Sequence, residues 1–184
     1  MANAKAESEE MSIAFLNERI WPICTIVNNN MLAWLFGPPL PIGSAAPPFS
    51  LKDENDRAIS LKTSKGRPVV LIFYPGDDTA ICTRQLCEIR DDWAAFKRLG
   101  AAVYGINGQG ANAHGKFAAK YKFPFPLLVD KGWQTCKKYR AGWGIIRRTV
   151  YVIGPGGRIL YAKRGKPSTA EILSAIEGPK STTS

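Results

Sequence analysis

The chain has 184 residues, 45% hydrophobic and 22% charged, a size and balance that suit one globular domain with a full core. At this length roughly 70% of the unfolded surface can leave water on folding, so neither a disulfide framework nor a structural metal is needed for stability. The formal net charge is +10 and is unevenly spread: residues 1–40 carry a net −2, whereas residues 131–184 carry eleven basic and two acidic side chains.

The four cysteines, Cys24, Cys82, Cys87 and Cys136, are too few and too irregularly spaced for a secreted disulfide scaffold. With no CxxC and a single histidine, His114, a zinc site is not expected, nor is any cofactor. An intracellular, reducing compartment is predicted, and a cytoplasmic location.

Residues 1–40 read as an atypical N-terminal extension. Its first residues set Lys5 against Glu7, Glu9 and Glu10, the wrong sign for a secretory signal. Glu18, Arg19 and the NNN run at residues 28–30 keep every apolar stretch short of the ~18 residues a membrane span needs. The protein is therefore expected to be soluble, a monomer or a homodimer. Trp21, Trp34 and Phe36 in the extension are expected to pack on the domain or on a second subunit; an interfacial helix on a membrane is the sharper alternative. Met31 as the true start is a third reading.

The proline- and glycine-rich stretch GPPLPIG at residues 37–43, with Pro47 and Pro48, reads as the linker into a domain at 41–178. Residues 49–52 and 58–61, around the polar segment 53–57, predict a short hairpin. Residues 68–74 (PVVLIFY) show no polar alternation and predict a strand covered on both faces, at the centre of a sheet. Leu86, Ile89, Trp93 and Phe96 then fall on one helical face that Gly100 ends. A strand at 102–106, a helix at 112–121, a strand at 126–129 and a short helix at 134–139 follow. The chain closes with a hairpin, 149–153 and 158–163, around GPGG, and a helix opened by a capping box at Ser168 and Glu171; the Ser/Thr-rich tail at 179–184 is expected to be disordered. This order predicts an α/β protein of thioredoxin-like fold: a central mixed β-sheet flanked by helices, with an N-terminal β-hairpin.

Cys82 falls just beyond the central strand, in the first turn of the next helix. Unpaired backbone N–H groups and the positive helix end favour a thiolate there. Asp77 and Asp78 would oppose it if they faced the thiol, so a cation must outweigh them. Arg84 sits two residues along the helix and points away; Arg147 or Arg148, predicted at a strand start, is better placed, and adjacent strand residues face opposite sides. Cys87, five residues on, lies about 140° around a helix and roughly 7.5 Å along it. A disulfide needs Cα atoms about 4.4–6.8 Å apart, so the first turn would have to unwind before the two could bond. The alternative is that Cys87 is a small buried filler.

The run PGDDTAIC, with Pro75, Thr79 and Cys82, matches the PxxxTxxC motif of the peroxiredoxins, and CTRQLCEIRD resembles their PrxQ, or bacterioferritin-comigratory-protein, subgroup. The resemblance extends through IGSAAPPFSL at 42–51, HGKFAAKYKFPFPLLVD at 114–130 and residues 148–157, but not to the first forty residues. It implies a thiol peroxidase acting on hydrogen peroxide and organic hydroperoxides. Cys82 would be the peroxidatic nucleophile, Thr79 a hydroxyl donor to peroxide and thiolate, and Pro75 a shield against water. Arg148, with Arg147 as fallback, would hold thiolate and peroxide oxygen. Cys87 would resolve the sulfenic acid as an intramolecular disulfide with Cys82, which thioredoxin or a similar dithiol would reduce. Ala80-Ile81 stand where many members carry Pro-Gly, predicting a more regular, better-packed turn that unwinds slowly; Gly76 stands where a lysine is common. Cys136 is read as structural, Cys24 is unassigned, and His114 is not expected to be a general base.

The competing class is a thioredoxin-fold binding module using Arg147, Arg148, Arg158, Lys163 and Arg164 to hold nucleic acid, an anionic membrane or an acidic partner. Only Tyr161 interleaves with the cluster at 158–166 and no nucleic-acid motif is present, so no nucleic-acid partner is expected.

Overall fold

The structure, a computed structural model, describes residues 37–178. The readings of the extension before residue 37, of Cys24 and of the tail 179–184 lie outside the described residues.

The hairpin pairs β1 (Ser50–Asp53) antiparallel with β2 (Ala58–Ser60). Asp53 sets the turn: its buried carboxylate accepts from the backbone N–H groups of Asn55 and Arg57 and from Nε of Arg57. A 3-10 turn, Lys62–Ser64, leads to β3 (Val69–Phe73). Two helices follow, α1 (Ala80–Asp91) and α2 (Trp93–Arg98), then β4 (Ala102–Asn107), α3 (Ala111–Tyr121), β5 (Leu127–Val129) and α4 (Gln134–Lys138). A two-residue ribbon, β6 (Gly142–Trp143) with β7 (Ile145–Ile146), precedes β8 (Thr149–Ile153), β9 (Ile159–Arg164) and α5 (Thr169–Glu177).

The seven-stranded sheet has the order β2-β1-β5-β4-β3-β8-β9. β3, β4 and β5 are parallel, while β1 joins β5, and β8 joins β3, antiparallel. This is the mixed sheet flanked by helices expected of the thioredoxin-like class. Every residue of β3 is at most 1% exposed because each face of the strand feeds a separate core. Val69, Leu71 and Phe73 meet Tyr139, Tyr151 and Ile153 on one side; Val70 and Ile72 meet Leu86, Ile89, Phe117 and Ile172 on the other. The absence of polar alternation in the sequence is that two-sided burial.

The single helix read from Leu86 to Phe96 is instead two, broken at Asp92, whose φ of −90° and ψ of 14° leave helical geometry. Asp92 still donates its N–H to the Glu88 carbonyl, and its carboxylate accepts from the Thr169 hydroxyl. The apolar spacing runs through it unaltered, which is why periodicity did not register it. The β6–β7 ribbon was also unanticipated, its strands being too short to show alternation. The capping box is present: the Ser168 hydroxyl accepts the Glu171 N–H at 3.2 Å. At the start of the domain the Leu40 N–H donates to the Tyr151 hydroxyl at 3.0 Å, and that hydroxyl donates to the Tyr139 carbonyl at 2.6 Å.

Among the described residues, no helix is long and apolar enough to cross a membrane.

Candidate active site

β3 delivers the chain to the carboxyl edge of the sheet, and residues 74–79 turn it into α1. Thr79 is the N-cap residue, in extended conformation at φ −84° and ψ 142°. Its hydroxyl makes no cap bond to the helix; it donates to the Gly76 carbonyl at 3.3 Å. Cys82 follows as the third helical residue, 1% exposed, in a first turn that carries no acidic side chain. Its thiol therefore sits at the positive end of the helix dipole, in the turn whose backbone N–H groups have no intrahelical acceptor.

Of the two candidate arginines, Arg148 reaches the sulfur: its Nη2 donates to Cys82 Sγ at 3.1 Å, and its Nη1 donates to Gln85 Oε1 at 2.6 Å. Both arginines precede β8 rather than opening it, so strand pleating does not select between them; the connector after the β6–β7 ribbon aims Arg148 at α1. Gln85 is 1% exposed and lies one helical turn beyond Cys82, on the same face. Its Nε2 is buried without a partner, so the amide is held by its oxygen alone. Gln85 was not among the predicted residues, although its spacing of three from Cys82 was the available signal.

The two carboxylates feared as neighbours of the thiolate are both turned away. Asp77 accepts from the Tyr74 hydroxyl at 2.7 Å, from Asn107 Nδ2 at 2.9 Å and from His114 Nδ1 at 2.7 Å. Asp78, at a left-handed φ of 56°, accepts from Lys120 Nζ and from the Tyr121 hydroxyl. Those two donors hold the Asp78 carboxyl below the ordinary aspartate range. Gly105 makes the inward arrangement possible: a Cβ there would stand 2.7 Å from Leu127 and 3.1 Å from the Tyr74 ring, whose hydroxyl binds Asp77. Burial, then the charge of Asp77 and the bond to it, raise the Tyr74 phenol well above its usual value, so Tyr74 stays a neutral donor.

Cys87 lies on the same intact helix as Cys82, half-buried, and both are free thiols. Burial raises the Cys87 thiol, Arg90 opposes that shift, and Asp91 and Glu88 add to it. Cys136 is fully buried, and burial together with Asp130 pushes its thiol far up, as suits an inert core residue. Pro75 is exposed on the segment ahead of the helix. Ile81 corrects one expectation: the turn at Ala80-Ile81 is regular, but Ile81 is 59% exposed and packs little.

The basic C-terminal cluster is mostly engaged within the domain. Lys163 pairs with Glu171 and Lys166 with Glu88, while Arg158 and Arg164 donate to the carbonyls of Gly43 and Arg140.

The sequence matches the AhpC/TSA family over residues 42–162. It is 50% identical over 150 residues to a protein of Sedum lineare named peroxiredoxin Q, chloroplastic, covering 73% of this chain and 78% of that protein. A rice protein, Oryza sativa subsp. japonica, of the same name is 46% identical over 127 residues, covering 65% of this chain and 57% of its own. The match thus spans little more than half of the rice relative. Among solved structures, peroxidoxin BcpB from Mycobacterium tuberculosis superposes with a TM-score of 0.71 at 25% identity, covering 76% of this chain and 98% of that one. A cysteine mutant of PrxQ from Xylella fastidiosa gives 0.70 at 26% identity, over 75% and 96%.

The chloroplastic names of these relatives overturn the cytoplasmic expectation. That expectation rested on the number and spacing of the four cysteines and on the wrong charge sign for a secretory signal, neither of which separates a plastid from the cytoplasm.

Proposed function

The chain belongs to the AhpC/TSA family, and on that premise we propose that it is a thiol-dependent peroxidase of the peroxiredoxin Q type, working in a plastid. The observation that carries the reading is the 3.1 Å contact from Arg148 to Cys82 Sγ at the start of α1. Family membership and this contact favour the peroxidase over the polyanion-binding module.

Cys82 reacts as thiolate with the nearer oxygen of a hydroperoxide ROOH. The S–O bond forms as the O–O bond breaks, RO⁻ takes a proton and leaves as ROH, and Cys82 is left a sulfenic acid. Arg148 supports both the sulfur anion and the oxygen on which charge develops. Thr79 supplies a hydroxyl donor to the bound peroxide, and Pro75 limits water at the thiolate. The Cys87 thiol then attacks Cys82 sulfur, water leaves and an intramolecular disulfide forms. Because both cysteines ride one helix, the first turns of α1 must unwind for this step. A dithiol of the thioredoxin type returns the disulfide to two thiols by exchange.

The test is peroxide consumption coupled to thioredoxin. Cys82→Ser abolishes it, and Cys87→Ser consumes about one equivalent and stalls; continued turnover in Cys82→Ser overturns the assignment. Fractionation of cells that produce the protein tests the location: recovery with the plastids is expected, and exclusion from them refutes it.

A further inference from the structure

The reaction scheme leaves one buried, hydrogen-bonded pair unused, Asp77 and His114. Asp77 lies in the middle of the segment 75–79 that carries Pro75 and Thr79, and its side chain is 5% exposed; the partner ring of His114 is 0% exposed. Nδ1 of His114 stands 2.7 Å from Asp77 Oδ2, and Nε2 stands 3.3 Å from the Leu128 carbonyl of β5. The ring is thus held from both sides, by the Asp77 carboxylate at Nδ1 and by the β5 backbone at Nε2. The other groups facing the carboxylate are the Tyr74 phenol, from the residue just after β3, and the neutral Asn107 amide from β4. A buried carboxylate paired in this way is strongly disfavoured when its partner is removed.

The same segment has a second anchor on α3. His114 lies in the first half of that helix, and Lys120 and Tyr121, which hold Asp78, lie at its end. Consecutive carboxylates, one buried and one at the surface, therefore fasten the segment along one helix. The Asp77 N–H adds a bond to Gln109 Oε1, and the Gln109 N–H donates to Asn107 Oδ1 at 2.7 Å. The anchoring stops at Thr79. Beyond it the Thr79 hydroxyl does not cap α1, and Ala80 and Ile81 are exposed. The fastened segment ends where α1 begins, at the turn that must unwind if Cys82 is to reach Cys87.

We propose that His114 is a positioning residue of the peroxidase reaction: through Asp77 it fixes segment 75–79, so that Pro75 and Thr79 stay in place at Cys82 while the helix turn after them unwinds. This rests on the peroxidase reading. Its consequence is asymmetric, because loss of the clamp impairs the attack on peroxide, which needs the segment in place, and spares disulfide formation, which needs only the helix turn to move.

The experiment uses the full chain with His114→Gln, Asp77→Asn, the double variant, and Ile153→Ala, a core truncation on the opposite face of the sheet from Cys82. Rapid-quench mass spectrometry reads sulfenic acid and disulfide formation separately, and iodoacetamide reads thiolate reactivity. The clamp predicts that oxidation of Cys82 falls about tenfold to a hundredfold in either single variant and no further in the double. It also predicts unchanged or faster disulfide formation, unchanged alkylation of Cys82, and normal oxidation in Ile153→Ala. Wild-type oxidation rates in the single variants overturn it, as does a parallel loss of oxidation and alkylation.

Should His114→Gln not fold, Asp77→Asn, which keeps the shape of the carboxylate, carries the kinetic test. Because the chain has a single histidine, an exchange-protected Nδ1 proton in wild type that Asp77→Asn weakens reads the clamp independently of activity. Absence of that proton overturns the clamp. A wild-type chain that consumes no peroxide but keeps the protected proton overturns the peroxidase reading instead.

Discussion

Arg148 and Cys82, 66 residues apart in the chain, meet at 3.1 Å, with the second arm of the same guanidinium on Gln85 at 2.6 Å. The cation is thereby fixed at two points, sulfur and amide, before any peroxide enters. Lysine has a single ammonium and no planar fork, so it cannot hold both points in one geometry. Arg148→Lys should slow Cys82 oxidation by about tenfold to a hundredfold while leaving the fold intact. Stopped-flow oxidation with limiting peroxide measures it, and a rate within twofold of wild type would remove Arg148 from the mechanism.

Gln85 separates stability from reactivity. Its Oε1 binds Arg148, but its Nε2 is buried and unpaired, a cost of about 1–3 kcal/mol carried by the folded state. Gln85→Leu removes the unpaired donor together with the bond to Arg148, and the two changes offset each other in folding. The melting temperature should move little, whereas alkylation and peroxide oxidation of Cys82 both fall as Arg148 loses its second anchor. Thermal unfolding and iodoacetamide kinetics on the same samples check the split; a large drop in melting temperature contradicts it.

What the sequence revealed and what it hid follow from the range of the interactions. The apolar run of β3, the hairpin at β1 and β2, and the Ser168 cap depend on neighbours a few residues away, and each is readable as a local pattern. Gln85 was readable too, by its helical spacing from Cys82. The fate of Asp77 was not. Whether it faces the thiol or His114, 37 residues on, depends on the space beside Gly105 that admits the Tyr74 ring, and no spacing rule records that. The same holds for Asp78 and Lys120, and for the aim of Arg148, set by a connector after a ribbon too short to show a period.

In the proposed reaction the resolving step takes a pH dependence of its own from Cys87. Burial, opposed by Arg90 and reinforced by Asp91 and Glu88, raises this thiol in the folded helix, so the intact helix prefers it neutral. That preference is fully present below the ordinary thiol value of ~8.5 and is lost as pH rises through the raised folded value. Rising pH thus favours the unwound turn and also supplies the attacking thiolate, and disulfide formation should accelerate across this window. Asp91→Asn should move the rise to lower pH. Disulfide formation timed by mass spectrometry after a peroxide pulse tests both, and a rate independent of pH contradicts them.

In the proposed reaction the helix opens from the turn at Ala80-Ile81, whose exposed side chains can be altered without touching the core. Thr79 already has the extended backbone that a following proline requires, and Ala80 is the first helical residue, where a missing N–H costs nothing. Ala80→Pro should therefore leave the helix and the resolving rate near wild type. Ile81 is 59% exposed, so Ile81→Gly removes little packing, but glycine weakens a helix by about 0.5–1 kcal/mol. The unwound turn gains up to about fivefold in population, and disulfide formation should accelerate by the same factor. Faster resolution shortens the life of the sulfenic acid, which a second peroxide otherwise carries to the sulfinic acid. Ile81→Gly should need a higher peroxide concentration than wild type to lose activity to Cys82 sulfinic acid, as read by the mass of the Cys82 peptide. Equal sensitivity in the two proteins would mean that helix opening does not limit resolution.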